Sequence, residues 1–303
     1  MSNFASFPDY PTFGPGGNGD WFRRDGMKSA LQTPGWLASK GIDAFEYEAT
    51  RGVNASEEAL RAFGEKAREH NIRISLHTPY FISLSGVDPE KRLTGSINYI
   101  TKSLWAADLI GADTIVIHSG SAGKIDRAEA MRLSCDTLAK LIEALDGQYS
   151  HIRLGIETMG KRNQLGTLDE VIEQCRVHPQ FVPVVDFGHL NCREQGGLFP
   201  DIDSYRRVFD TIAGALGDDV ARHLHCHFSK IEYTEAGEKK HLTFDDTVYG
   251  PFFEPLAEAI VRDNLAPRII CESDGTQAED ALWMKQCWLG AASGGAPRGQ
   301  NLL

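Results

Sequence analysis

The sequence predicts an α/β fold, a single (β/α)8 TIM barrel, and three observations carry that prediction. Short β-rich runs recur through the chain, helical patterns separate them, and most of the runs end in His, Asp or Glu. Strand and helix in strict alternation argue for parallel strands joined by crossover helices. In order, the strand candidates are Tyr10–Gly14, Ala44–Glu48, Arg73–His77, Thr114–His118, Arg153–Glu157, Val182–Asp186, His223–His227 and Arg268–Glu272. Eight units within 303 residues suit one barrel.

Each helix is predicted from capping and spacing. Ser56 followed by Glu57 and Glu58 opens a helix with a polar cap and an acidic first turn. Apolar residues at spacings of three and four then mark Ser96–Leu109, Asp126–Leu145, Thr167–Cys175, Ile202–Leu216, Phe253–Asp263 and Ala278–Leu289. A doubly wound dinucleotide fold is the weaker reading. Its glycine-rich loop would have to be Gly14-Pro-Gly-Gly-Asn-Gly19, where Pro15 is misplaced for a helix-opening phosphate loop. The barrel is expected over residues 1–290, and the aperiodic, Gly-rich segment 291–303 is expected to be a loose tail.

Composition narrows the function. Hydrophobic residues are 42% and charged residues 24%, which suits a globular protein and excludes a disordered or collagen-like chain. The net charge of −11 argues against a general nucleic-acid coat, whose affinity comes from Lys and Arg on phosphates. A local metal-lined site for a phosphodiester stays open. The six cysteines form no C-x-x-C pair, no secretory signal opens the chain, and no apolar run approaches the ~20 residues that span a bilayer. The expectation is a cytoplasmic protein with free thiols, no membrane partner and no obligate protein partner, and therefore a monomer.

The chemistry lies in position. His77, His118, Glu157, Asp186, His225 or His227, and Glu272 each end a strand run. In a barrel those ends open onto one face, where active sites form. Any one of them alone would read as a rim residue or a helix cap. Six together, in a site of low dielectric, need a cation to offset their cost. Imidazole with carboxylate is a ligand set for zinc, manganese or iron. His189 follows Asp186 by three residues, and His241 falls in the loop after the seventh strand. His223, His225 and His227 alternate, so all three share one strand face and periodicity does not choose among them. Lys230 is placed to meet a phosphate.

At these residues the chain resembles the endonuclease IV family of abasic-site DNA repair enzymes, within the wider xylose isomerase-like barrels. The resemblance runs from about residue 70 to 285. It is carried by His77-Thr-Pro-Tyr80, Ile117-His-Ser-Gly120, Ile156-Glu-Thr-Met-Gly160, Asp186-Phe-Gly-His189, His225-Cys-His-Phe-Ser-Lys230 and Cys271-Glu272. It implies two or three Zn2+ ions, with Mn2+ or Fe2+ as substitutes, and hydrolysis of damaged double-stranded DNA on the 5′ side of an abasic site by a hydroxide held between metals. By motif position, His77 and His118 hold the first metal and Glu157 bridges it to the second. Asp186, His225 and Glu272 complete the second, and His189 with His241 hold the third. Glu157 and Glu272 are the catalytic carboxylates, Glu272 orienting or deprotonating the water. Tyr80 matches an aromatic position that enters the DNA at the lesion.

One position departs from the family. Where a third-metal Asp stands two residues before the last His, this chain has Lys239. That leaves the third site weak, absent, or completed by Glu238, Asp245 or Asp246. The competing reading is a sugar isomerase or epimerase of the same superfamily. It would use one divalent metal on Glu157, Asp186, His225 and Glu272, with the glutamates moving protons beside a carbonyl.

Overall fold

The computed structural model describes residues 7–294. Ten strands are present: β1 (Thr12–Pro15), β2 (Ala44–Glu48), β3 (Arg73–His77), β4 (Thr114–His118), β5 (Arg153–Glu157), β6 (Phe181–Asp186), β7 (His225–Phe228), β8 (Lys230–Thr234), β9 (Gly237–Leu242) and β10 (Arg268–Cys271). Eight of them form one parallel sheet in the order β1-β10-β7-β6-β5-β4-β3-β2. Strands β1 and β2 meet at the remaining seam. Gly16 bridges Glu46 in parallel, the Gly17 amide donates to the Glu46 carbonyl at 3.0 Å, and the Asp43 amide donates to the Phe13 carbonyl at 3.2 Å. The sheet curls into a TIM barrel, as expected from the alternating pattern.

The seam depends on a glycine. A Cβ on Gly14 would sit 1.8 Å from the Ala44 carbonyl oxygen, so β1 approaches β2 more closely than any side chain permits. Gly14→Ala should therefore cost stability at the upper end of the ~1–3 kcal/mol typical of overpacking, because the obstacle is backbone rather than a movable side chain. Urea unfolding of the variant checks this.

The helices behave as their caps dictate. Ser56 Oγ accepts from the Ala59 amide and opens Glu57–Glu69, whose buried residues Leu60, Phe63, Gly64 and Ala67 fall on one stripe. Asp126 caps Arg127–Leu145, Thr167 caps Leu168–Cys175 in a capping box, and Asp201 caps Ile202–Leu216 in another. Outward-facing strand residues such as Ile74, Leu76, Ile115, Ile117, Leu154 and Ile156 pack beneath these helices. The other half of the jacket is aromatic, built from Phe13, Phe187, Tyr205, Phe209, Phe228 and Phe253. Apolar burial between sheet and helices leaves the inward positions free to be polar, and here they are.

The structure adds elements the sequence did not announce: the short helix Phe187–Arg193, the antiparallel β8–β9 hairpin and a π-helical turn at Glu90–Gly95. The last helix runs Gln277–Ala292. Of the segment expected to be a tail, residues 295–303 lie outside the described residues. Among the described residues, no helix is long and apolar enough to cross a membrane. The six cysteines are free thiols.

Candidate metal centre

The carboxyl ends of β3 to β7 deliver His77, His118, Glu157, Asp186 and His227 to one mouth of the barrel, and Glu272 joins them just past β10. Five donor groups lie among the described residues; two of them contain Glu46, one with His225 and His227 and one with Glu48 and Glu272. Of the other three, His77, His118 and Glu157 form the first; Glu157, Asp186, His227 and Glu272 form the second; His189, Glu238 and His241 form the third. In each, one ligand atom per residue lies within 4.8 Å of the others.

Glu157 joins the first two groups. It is fully buried, with Oε2 at 3.5 Å from both His77 Nε2 and His118 Nε2. Its Oε1 lies 3.1 Å from His227 Nδ1 and 3.4 Å from His189 Nδ1. The histidines are held by their far nitrogens. His77 Nδ1 lies 2.9 Å from the Thr78 carbonyl and His189 Nδ1 lies 2.9 Å from the Thr158 carbonyl. A carbonyl only accepts, so Nδ1 carries a proton and Nε2 is the nitrogen turned to the site. Asp186 Oδ1 caps the helix Phe187–Arg193 by accepting from the His189 amide at 2.8 Å, which fixes the carboxylate and leaves Oδ2 facing inward.

The electrostatics show how costly this crowd is. Burial alone raises Glu157 and lowers His77, but close partners of opposite charge reverse both: His189, His227 and His77 hold Glu157 well below the usual range, and Glu157, Glu48 and Glu46 lift His77 to about 10. Burial lowers His118 to about 4. Burial, reinforced by Glu157 and Asp186 although opposed by His227, raises Glu272 to about 8. Even with imidazolium charges to lean on, Glu157 Oε2 and Asp186 Oδ2 are buried without a hydrogen-bond partner. Orphaned carboxylate oxygens among converging imidazoles fit a divalent cation bound by mixed nitrogen and oxygen.

The hairpin accounts for the third group. In a regular strand, residues three apart face opposite ways. Here Tyr233 pairs with Glu238 and Glu232 pairs with Lys240, so Lys239 is an unpaired bulge residue. The extra residue restores the phase and turns both Glu238 and His241 toward His189, with His189 Nε2 at 3.6 Å from Glu238 Oε2. Lys239 points outward and pairs with Glu232 Oε1 at 2.5 Å. Lys239 therefore does not enter the centre, and Glu238 is the carboxylate that stands beside His189 and His241. His241 lies on a strand rather than in the expected loop, and its Nδ1 lies 2.8 Å from Ser229 Oγ.

Two assignments change. His227, not His225, stands with Glu157, Asp186 and Glu272. Asp186 pairs in register with His227 whereas His225 pairs with Val184, two residues deeper, where its Nε2 meets Glu46 Oε2 at 3.0 Å. Lys230 is not open to a phosphate. It is buried, and its Nζ donates to the carbonyls of Phe244 (2.8 Å) and Asp246. Tyr80 does stand free at the mouth, 63% exposed, beside Phe81, which in turn packs on Tyr99. Glu46 and Glu48 were missed. Glu46 is fully buried beneath the centre with Oε1 at 2.9 Å from His227 Nε2, and Glu48 groups with Glu46 and Glu272. Both occupy the inward phase of β2, and strand alternation was the signal that would have found them.

A family model described as xylose isomerase-like TIM barrel matches residues 34–287. The chain belongs to that family. It is 26% identical over 252 residues to an uncharacterized protein of Methanocaldococcus jannaschii, across 82% of this chain and 88% of that one. It is 29% identical over 168 residues to a probable endonuclease 4 of Acholeplasma laidlawii, across 52% of this chain and 54% of the relative, about half its length. Two solved structures are similar to it in fold. Endonuclease IV from Thermus thermophilus has a TM-score of 0.68 at 17% identity, over 92% of this chain and 99% of that one. A D-tagatose 3-epimerase-like protein has a TM-score of 0.67 at 16% identity, over 93% of this chain and 98% of that one. These likenesses carry the fold. Their near-equal scores leave the chemistry to the donor groups.

Proposed function

We propose that this protein is a metal-dependent phosphodiesterase of the endonuclease IV type, hydrolysing damaged DNA on the 5′ side of an abasic site. The observation that supports it is the third donor group. An epimerase using one cation has no need for His77, His118, His189, Glu238 and His241 around the same mouth, whereas a multi-cation centre does. Zinc is the preferred metal for an imidazole-rich set, with Mn2+ or Fe2+ as substitutes.

Divalent cations in such a centre supply positive charge that lowers the pKa of a bound water and offsets charge gathering on a phosphate. The chain's own residues supply the rest. Glu157, reaching both the first and second groups, sets their separation. Glu272, beside Glu157, Asp186 and His227, would be kept ionised by bound cations and so able to orient the attacking water and take its proton. His77 and His189, locked through Nδ1, hold their donor atoms in place without reorganisation. Tyr80 at the rim offers a ring to stack where a base is missing.

The test pairs elemental analysis of unchelated protein with incision of a duplex carrying one abasic analogue. Two or three metals per chain with a 5′ nick supports the reading. One metal per chain with no incision in zinc, manganese or cobalt defeats it. The second reading, a sugar epimerase, is favoured by Glu157, Asp186, His227 and Glu272 alone making a complete single-metal set. It predicts one metal per chain and turnover of a ketose.

Two variants refine the proposal. Glu238→Ala should lower the metal content by about one per chain while leaving the other groups filled, as read by elemental analysis. Tyr80→Ala should keep full metal content yet weaken binding to the abasic duplex by about 1–3 kcal/mol, the usual worth of one base–aromatic stack. A fluorescence-anisotropy titration measures it.

A further inference from the structure

The opposite end of the barrel gathers positive charge. Arg73, Arg153 and Arg268 each open a barrel strand, so all three enter at the floor. Asp113 Oδ2 accepts from Arg73 Nη2 and from Arg268 Nη2, both at 2.6 Å, and its Oδ1 accepts from Thr114 Oγ1 at 2.9 Å. That carboxylate is fully used. Among the described residues no carboxylate lies within ion-pair distance of Arg153. Its Nη1 donates to the His223 carbonyl at 3.3 Å, and its guanidinium lies 3.4 Å from the centroid of the Phe7 ring. Asp219, the next acidic group, is turned to solvent and paired with His223 Nδ1 at 3.1 Å.

Arg153 and Arg268 are each 6% exposed, yet their Nε atoms have no hydrogen-bond partner, and neither has His225 Nδ1. These side chains line a cavity of about 10 Å³ covered by Phe7 and Pro8. The cavity has room for about one water-sized sphere. Guanidinium groups can only donate, and excess positive charge in a buried place needs a counter-ion. Burial pushes Arg153 down to about 10, with Asp113 opposing that shift and Arg268 and Arg73 adding to it.

We propose that this cavity binds a small monovalent anion of chloride size, held by Arg153 and Arg268 beneath Phe7. The small volume favours a monatomic anion over phosphate or sulfate, and the two guanidinium groups, which only donate, exclude a cation. The anion completes the neutralisation that Asp113 begins, and it lies at the barrel end remote from the metal centre.

The test uses the full, metal-loaded chain in sodium chloride against sodium gluconate at equal ionic strength. Chloride and bromide should raise Tm in a saturating way by about 2 °C, and sulfate and phosphate should match gluconate. Arg153→Met should abolish the chloride-specific rise. Equal Tm in chloride and gluconate overturns the proposal, as does a larger rise in phosphate or a rise retained in the variant. If Arg153→Met does not fold, chloride NMR line broadening on the unaltered protein decides. Broadening relieved by bromide supports the site, and its absence sinks it.

Discussion

Replacing Glu157 by Gln should lower metal content by about two per chain and reduce incision by at least ~10³-fold, more than the 10–100-fold that loss of an outer partner of a metal ligand typically costs. The substitution keeps shape, so the buried position stays filled. It removes the charge that two donor groups share and turns an amide NH2 toward imidazole nitrogens at 3.1–3.5 Å. Glu46→Gln, which touches His227, His225 and Ser75, should fall in the smaller range. A larger loss for Glu157→Gln than for Glu46→Gln separates a ligand that joins two groups from a supporting residue. Near-normal metal content in Glu157→Gln, with activity within about tenfold, would show that the carboxylate is only a core buffer for the surrounding histidines. Elemental analysis and single-turnover incision on the same samples read both quantities.

How much of the centre was visible beforehand follows from what each residue depends on. His77, His118, Glu157, Asp186 and Glu272 depend only on their strand ending where the β-rich run ends, and runs of Ile and Val mark such ends clearly. Choosing His227 over His225 depends on register between β6 and β7, a long-range fact that alternation within one strand does not contain. Glu238 depends on a bulge. Nothing in Gly237-Glu-Lys-Lys-His241 says that Lys239 will be the unpaired residue, so spacing alone made the lysine look like an intruder. Lys230 misled because its carbonyl partners, Phe244 and Asp246, come from a loop whose path only the fold decides.

The fold itself was more legible. Five-residue strands with β-branched centres and helices with Ser, Thr or Asp caps are local signals, and Ile202–Leu216 appears with the expected limits. The hairpin was not legible, since Lys230–Thr234 and Gly237–Leu242 are polar and largely unburied on one face. The helix Phe187–Arg193 was hidden because Asp186 and His189 carry two signals at once, a ligand pair at a strand end and the cap and first turn of a helix.

The barrel floor gives the largest expected effect on stability. Asp113→Asn should destabilise the protein by about 3–5 kcal/mol at neutral pH, the cost of stranding buried charges rather than the ≲1 kcal/mol of a surface pair. The structure favours the first figure. Arg268 is 6% exposed, and both Arg73 and Arg268 converge on one oxygen of Asp113. Burial would raise the Asp113 carboxyl, but Arg268 and then Arg73 hold it far below the usual carboxylate range. A depressed folded pKa means the contribution is fully present above the unfolded value of about 3.9 and is lost as pH falls through the folded value. The gap between the unaltered protein and Asp113→Asn should therefore be constant from pH ~7 to ~5 and narrow below ~4. Urea unfolding across that range checks it. A gap under ~1 kcal/mol at pH ~7, or one that widens on acidification, would mean that the arginines find water or another acceptor when Asp113 is gone, and that the floor is an exposed rim rather than a closed base.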